Sequence, residues 1–218
     1  MRLGLVTDVH SHPTELARAL SLFRQHRVDQ VVTIGDTIDA FARSKGAREV
    51  ATLLLEADAV GVWGDHDFSL CGDVSEKTRA RFPPVSLTFM ARMQPRLVLG
   101  DCHFSHKEAS VDAHDVAQLW DVSDRPHDLL ERARQGFDTA PQRWQFVGHY
   151  HRWWAATPSG PLGWTGAGPL AVAGTERYFV VVGAVCDGWC AVLDVERAVL
   201  QPLWCGTEEQ GTAADAPI

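Results

Sequence analysis

Aspartate and histidine recur along this chain in five tight groups: Asp8 with His10, Asp36 with Asp39, Asp65 with His66 and Asp67, His106 alone, and His149 with His151. Carboxylate oxygens and imidazole nitrogens together suit borderline-to-hard divalent metals such as Mn, Fe, Zn, Ni or Co. Seven of these side chains (Asp8, His10, Asp36, Asp65, His106, His149 and His151) are too many for one tetrahedral ion and right for two ions sharing a carboxylate. A metal pair roughly 3.5–4 Å apart can generate a hydroxide and clamp both oxygens of an in-line displacement. Taken singly, each group could be a loop satisfied by backbone hydrogen bonds; five in series argue against that.

The groups need elements that bring them together. Residues 1–7 read as a buried strand, and Pro13 suits the first position of a helix carrying Leu16, Leu20 and Phe23 on one face. Residues 30–34 form a second strand, 48–57 a helix, and 59–63 a third strand. This alternation predicts an α/β layered domain. Each Asp or His group follows a strand, and in open α/β sheets ligands bind beyond the carboxyl ends of the strands. Gly35, Gly64 and Gly148 stand directly before candidate ligands, where they permit sharp turns.

The middle of the chain is less regular. Residues 76–81 and 85–93 read as helical, and 96–99 and 102–105 as strands around the Gly100-Asp101 turn. Residues 107–143 hold helical pieces at 116–121 and 128–135 and form a candidate lid or cap. Residues 145–147 form a strand leading into Gly148-His149. Residues 178–186 and 189–195 flank Asp187-Gly188, a two-residue hairpin signal. Residues 1–205 are expected as one domain, and 206–218 as a disordered tail.

The series Asp8-Val9-His10, Gly35-Asp36-Thr37-Ile38-Asp39, Gly64-Asp65-His66-Asp67, His106 and Gly148-His149-Tyr150-His151 resembles, in order and spacing, the calcineurin-like metallophosphoesterase superfamily, in its compact bacterial form. The resemblance spans residues 3–195. It implies a β-sandwich of mixed sheets flanked by helices, with a dinuclear metal site at the C-terminal strand ends. It implies metal-dependent hydrolysis of a phosphate monoester or diester by a hydroxide held between the metals. Asp8, His10, Asp36 and His151 would hold one metal; Asp36, Asp65, His106 and His149 the other, with Asp36 bridging. His66 would touch the phosphate and protonate the leaving oxygen, oriented by Asp67, while Asp39 would support the site from behind. For Asp39 a helix-capping role competes, and for His106 the nearby His103 is the alternative ligand.

The chain departs from the family at Asp65, where Asn is usual. Asp is acceptor-only when ionised, and it adds negative charge beside an anionic substrate. A catalytically weak or inactive scaffold or binding protein is therefore the alternative reading.

Composition limits the partners. The formal net charge is −8 and no basic stripe stands out, which disfavours a nucleic-acid partner. A small phosphorylated substrate remains compatible, because bound metals reverse the local sign. No apolar run is long enough to span a bilayer, so no membrane partner is expected, and the first residues read as a strand rather than a signal peptide. Five cysteines without a CxxC pair point to reduced thiols in a cytoplasm; Cys186 and Cys190 read as strand residues. Self-association into a homo-oligomer stays open. Trp153 and Trp154 either pack in the core or stack on a nucleobase, and Trp120, Arg125, Arg152 and Trp164 are candidate pocket residues. His12, His26, His103, His114 and His127 read as surface or core histidines.

Overall fold

The computed structural model describes residues 1–41, 45–120, 126–172 and 174–207. In chain order the first half runs β1 (Arg2–Val6), α1 (Pro13–Gln25), β2 (Gln30–Ile34), α2 (Ala47–Glu56), β3 (Val60–Val62), α3 (Glu76–Arg79), α4 (Pro84–Met90), β4 (Leu97–Leu99), β5 (Cys102–Phe104) and α5 (Val116–Leu119). The second half runs α6 (Pro126–Thr139), β6 (Trp144–Val147), β7 (Trp154–Thr157), β8 (Gly160–Pro161), β9 (Leu170–Ala171), β10 (Tyr178–Val181), β11 (Trp189–Asp194) and β12 (Val199–Trp204).

The strands form two six-stranded sheets, ordered β3-β2-β1-β11-β12-β9 and β4-β5-β6-β10-β7-β8. Both are mixed. In the first, β1, β2 and β3 run parallel and β11 is antiparallel to β1. In the second, β5, β6 and β10 run parallel, with β4 and β7 antiparallel at their sides. The expected sandwich of mixed sheets flanked by helices is the observed architecture.

Leu3, Leu5, Val32 and Ile34 of the first sheet pack against Phe104, Trp144, Phe146 and Val180 of the second, all nearly or fully buried. Each such side chain contributes roughly 1.5–3 kcal/mol by leaving water. The first sheet's other face is covered by α1, α2 and α4 through Leu16, Phe23, Val50, Leu54 and Phe89. The second sheet's other face is covered by α6 through Leu129, Ala133 and Phe137 against Val147, Phe179 and Val181. That packing makes α6 an outer layer of the sandwich. Within the candidate lid over 107–143, α6 thus packs on the second sheet, and Trp120 reaches the site, as described below.

The Asp187-Gly188 hairpin does not form. β10 is paired on both sides, with β6 and β7, and β11 on both sides, with β1 and β12, so neither has a free edge for the other. The connecting segment instead crosses between the sheets. Val182 donates its N–H to Val147 O in the second sheet, and Val185 and Cys186 donate to Thr7 O and Asp8 O at the end of β1. Strands β7, β8, β9 and β12 were not expected from the sequence. Arg125 and residues 208–218 lie outside the described residues, as does the side chain of His127.

His103 sits in β5 on the face opposite Phe104 and is 5% exposed. Burial, helped by the charge of Arg96, holds its imidazole down at about 4, against an unfolded value of about 6.5. The unfolded chain therefore binds this proton first on acidification. The stability contributed by neutral His103 is complete above about pH 6.5 and is lost as the pH falls toward 4. His103→Gln is expected to flatten the decline in unfolding free energy over that window in denaturant melts. A parallel decline in parent and variant would contradict this.

Candidate metal centre

The carboxyl ends of β1, β2, β3, β5 and β6 share one rim of the sandwich, and all five groups of Asp and His lie there. The rim is built from two sheets rather than the edge of one. The segments that carry the groups are stitched together by backbone hydrogen bonds. Asp8, His10 and Ser11 donate their N–H groups to Gly35, Asp36 and Thr37 carbonyls at 3.1, 2.9 and 3.2 Å, fastening the loop after β1 to the loop after β2. Gly148 N–H donates to His106 O at 3.0 Å, fastening β6 to β5.

The seven candidate ligands converge in two overlapping sets. In one, His10 Nε2 lies 3.3 Å from His151 Nε2, His151 Nε2 lies 3.5 Å from Asp8 Oδ1, and His10 Nε2 lies 3.7 Å from Asp36 Oδ2. In the other, His106 Nε2 and His149 Nδ1 each lie 3.1 Å from Asp65 Oδ1, and His106 Nε2 lies 3.3 Å from Asp36 Oδ2. Asp36 Oδ2 faces both sets. Groups of three donors fall within 4.8 Å of one another, among them Asp8, His10 and Asp36, and Asp65, His106 and His149. The donor chemistry and convergence fit two divalent cations joined through Asp36.

The surroundings aim these donors. His106 Nδ1 donates to Ile34 O at 2.8 Å, which turns Nε2 toward the carboxylates. Asp8 Oδ2 accepts from Thr7 Oγ1 at 2.7 Å and from His149 N–H at 3.0 Å. Asp36 Oδ1 accepts from His66 N–H at 2.9 Å. His151 Nδ1 faces Asp187 Oδ2 at 3.2 Å and the Cys186 thiol at 3.6 Å. Cys186 thus stands outside any strand, on the rim, contrary to its expected place; the hairpin reading hid both it and Asp187. Behind Tyr150, buried Glu108 accepts from the Tyr150 hydroxyl at 2.9 Å and pairs with Arg132 of α6. Nothing in the spacing of these three residues announces that brace.

The charges match this reading. Burial works to raise Asp8, yet His151 and His106 hold it down at about 2. Burial likewise opposes ionisation of Asp65, but hydrogen bonds from His106 and His149 hold it well below the usual carboxylate range. His106 rises despite burial because Asp36 and Asp65 surround it. His151 is raised to about 11, first by its hydrogen bond with Asp8. Cations bound here would displace the protons that His106 and His151 favour.

Two expected roles change places. Asp67 does not touch His66. It is fully buried, and its carboxylate accepts N–H groups of Thr37 and Ile38 at 2.9 and 2.7 Å, and of Gly64 at 3.4 Å. Burial and the nearby Asp36 charge nonetheless push Asp67 up to about 7. The partner of His66 is Asp39, whose Oδ1 lies 3.2 Å from His66 Nδ1 and also accepts Phe41 N–H at 2.9 Å. Both aspartates lie close to His66 in space, and spacing alone does not choose between them. Asp67 points back under the loop after β2; Asp39 lies on that loop, across from His66. His66 itself is raised, since Asp36 and Asp39 outweigh its burial.

Other named residues fall outside the site. Trp153 is buried with its ring packed on Trp164 and Trp189, and Trp154 packs on Phe179, so both belong to the core.

The sequence profile of the calcineurin-like phosphoesterase superfamily domain matches residues 1–188. No curated protein matches in sequence. Among solved structures, a metallophosphoesterase from Sphaerobacter thermophilus is similar at 21% identity and a TM-score of 0.73, over 94% of this chain and 87% of that one. An archaeal phosphodiesterase is similar at 14% identity and a TM-score of 0.53, over 94% and 99%. A protein from Thermus thermophilus is similar at 14% identity and a TM-score of 0.57, over 94% and 99%. These likenesses speak for the fold.

The exchange of roles between Asp67 and Asp39 is checked by thermal denaturation. Asp67→Asn leaves a buried backbone N–H facing an amide NH2, which costs about 1–3 kcal/mol, and should lower Tm by about 5 °C. Asp39→Asn, at a partly exposed position, should leave Tm nearly unchanged. Equal losses in the two variants would contradict the assignment.

Proposed function

Because this chain belongs to the calcineurin-like phosphoesterase superfamily, a dimetal-dependent family of phosphoester hydrolases, we propose that it is itself a hydrolase of phosphate esters, acting on a small phosphorylated substrate at the rim described above. The observation that carries the reading is Asp36 Oδ2, which faces His10 at 3.7 Å and His106 at 3.3 Å and so joins two donor sets. Asp8, His10, Asp36 and His151 would hold one ion, and Asp36, Asp65, His106 and His149 the other. Bound divalent ions supply Lewis acidity to the ester oxygens and lower the pKa of water to neutral pH.

The chain's own residues do the rest. His66 Nε2 lies 3.7 Å from Asp65 Oδ2 and so borders the metal positions, while Asp39 holds its other nitrogen. Asp39 and Asp36 favour the protonated imidazole, which is the form needed to give a proton to a departing alkoxide. His66 is thus the general acid and Asp39 its positioning residue. Asp67, by fastening the loop that carries Thr37 and Ile38, keeps Asp39 and Asp36 in place. The five cysteines are all free thiols, and no helix among the described residues is long and apolar enough to cross a membrane; we place the protein in the cytoplasm on the thiols.

The test is hydrolysis by chelator-stripped protein reloaded with Mn, Fe, Zn, Ni or Co, across monoesters and diesters. Activity should vanish on stripping and return with at least one metal, at two ions bound per chain. If metals bind and no ester is cleaved, the scaffold reading takes its place. Asp65 allows a sharper prediction. Its carboxylate lies against His106 and His149 and adds a negative charge where Asn is usual. One charge at about 5 Å is worth up to a few kcal/mol, so Asp65→Asn should lower the inhibition constant of inorganic phosphate by about tenfold. An unchanged or higher constant would remove the idea.

A further inference from the structure

Among the described residues, two aromatic side chains are strongly exposed, Phe41 at 58% and Trp120 at 39%. They come from distant segments, one after the loop that carries Asp36 and Asp39 and one at the end of α5. They meet at a single point, which is His66. The Phe41 and Trp120 rings lie 5.2 Å apart, and their centroids lie 5.5 and 5.0 Å from the His66 ring. Exposed rings in a soluble protein are tolerated singly; two gathered at one functional group point to a ligand.

Both rings are held by the machinery of the site. Asp39, which fixes His66 through Nδ1, accepts the backbone N–H of Phe41 with the same oxygen. Ala40 N–H donates to His66 O at 3.1 Å. Trp120 closes α5, and α5 is tied down by Lys107, the residue after His106, whose Nζ donates to Gln118 O at 2.9 Å.

We propose that Phe41 and Trp120 form a stacking subsite for a flat ring carried by the leaving alcohol of the ester. The inference rests on the phosphoesterase reading, with His66 as the acid. An acid that protonates the leaving oxygen lies on the leaving-group side of phosphorus, so the groups packed around it face the leaving alcohol. The exposed rings offer that alcohol π-faces and edges, which favour stacked or edge-to-face aromatic partners over saturated ones. The recognised chemistry is an aromatic ring borne directly by the leaving alcohol, as in an arylmethyl ester, or one sugar away, as in a nucleoside ester. Trp153 and Trp154, the tryptophans nearest His151 in sequence, are committed to packing and supply no such surface.

The test compares metal-loaded protein on methyl benzyl phosphate and methyl cyclohexylmethyl phosphate, scored by release of benzyl alcohol and of cyclohexylmethanol rather than of methanol; these two alcohols are close in size and acidity and differ in the flat ring. The benzyl ester should be preferred in kcat/KM by about tenfold or more. Phe41→Ala and Trp120→Leu should each bring the ratio of the two values toward one. Thymidine 5′-methyl phosphate places the ring beyond a sugar: a preference there that is also lost in the variants assigns nucleoside esters, and a preference for benzyl alone assigns arylmethyl esters. A parental ratio near one, or a ratio that survives both substitutions, overturns the subsite. If neither ester is cleaved, the monoester assays of the reloading experiment decide the phosphoesterase reading separately. The subsite is then decided by calorimetry of benzylphosphonate against cyclohexylmethylphosphonate, where equal affinities in the parent, or an excess that persists in Phe41→Ala, overturn it. Phe41 is more than half exposed, so Phe41→Ala keeps the fold, which circular dichroism verifies.

Discussion

Asp8, Asp36 and Asp65 are each at most 2% exposed, and five imidazoles, those of His10, His66, His106, His149 and His151, stand within 4 Å of them. Three carboxylates removed from water together would repel one another and lose their hydration, at several kcal/mol per ion unless cations compensate. Everything else at the rim answers to that requirement. His106 and His151 supply partial compensation, which is why Asp8 and Asp65 are pulled down while these two imidazoles are pulled up. Divalent cations held by these residues would supply it more fully, and would turn a repulsive cluster into a site that attracts anionic oxygens.

Crowding is the geometric face of the same constraint. Asp8, His10, Asp36, His149 and His151 all adopt positive φ, between 43° and 66°, a region that costs about 1–3 kcal/mol for residues other than glycine. Left-handed backbone directly after a strand turns the side chain back over the strand end, which is how donors from adjacent parallel strands reach a common centre. The hydrogen bonds from Asp8, His10 and Ser11 to the loop after β2, and from Cys186 and Val185 to the end of β1, hold that backbone against relaxation. A loop fastened on one side only would relax; here two sheets clamp the strained residues between them.

Much of this was legible from the residues. The strand at β2 matches its expected bounds, and β1, β3, β5 and β6 fall within a residue or two, because buried parallel strands read as apolar runs and each ends in an Asp or His group. The seven donors come together as expected of them. What failed has physical causes. The run after Tyr178 is apolar because it lies buried between layers, which looks the same in sequence as a hairpin strand, and Asp187-Gly188 serves a crossing turn at the rim instead. That misreading concealed Asp187 and Cys186 beside His151. Asp39 and Asp67 exchanged roles because side-chain direction from irregular loops has no period to read. Phe41 carried no signal at all, since an exposed aromatic acquires meaning only from its neighbours.

The three glycines before the ligands show how little latitude the arrangement has. Gly35 has φ of +90° and supplies a turn, as its type suggested. Gly64 and Gly148 do not have positive φ; they are glycine because the Asp36 carboxylate in one case, and the Thr7 hydroxyl and Asp8 carboxylate in the other, occupy the space. A Cβ on Gly64 would lie 2.1 Å from Asp36 Oδ1, and one on Gly148 would lie 1.9 Å from Thr7 Oγ1 and 2.8 Å from Asp8 Oδ2. A Cβ on Gly35 would meet the His106 ring at 2.4 Å. Each glycine therefore admits a donor from a different strand: the loop after β3 yields to Asp36, the loop after β6 to Asp8, and the loop after β2 to His106. The ligand sets are interlocked through missing side chains as well as through present ones, so the two halves of the site cannot be varied independently. Asp65 differs from Asp8 and Asp36 in that its Oδ1 meets the imidazole nitrogens of His106 and His149, whereas those two accept backbone N–H groups of His149 and His66. An Asp-to-Asn exchange there would alter the charge of the site at nearly constant shape without turning an amide NH2 against a backbone N–H.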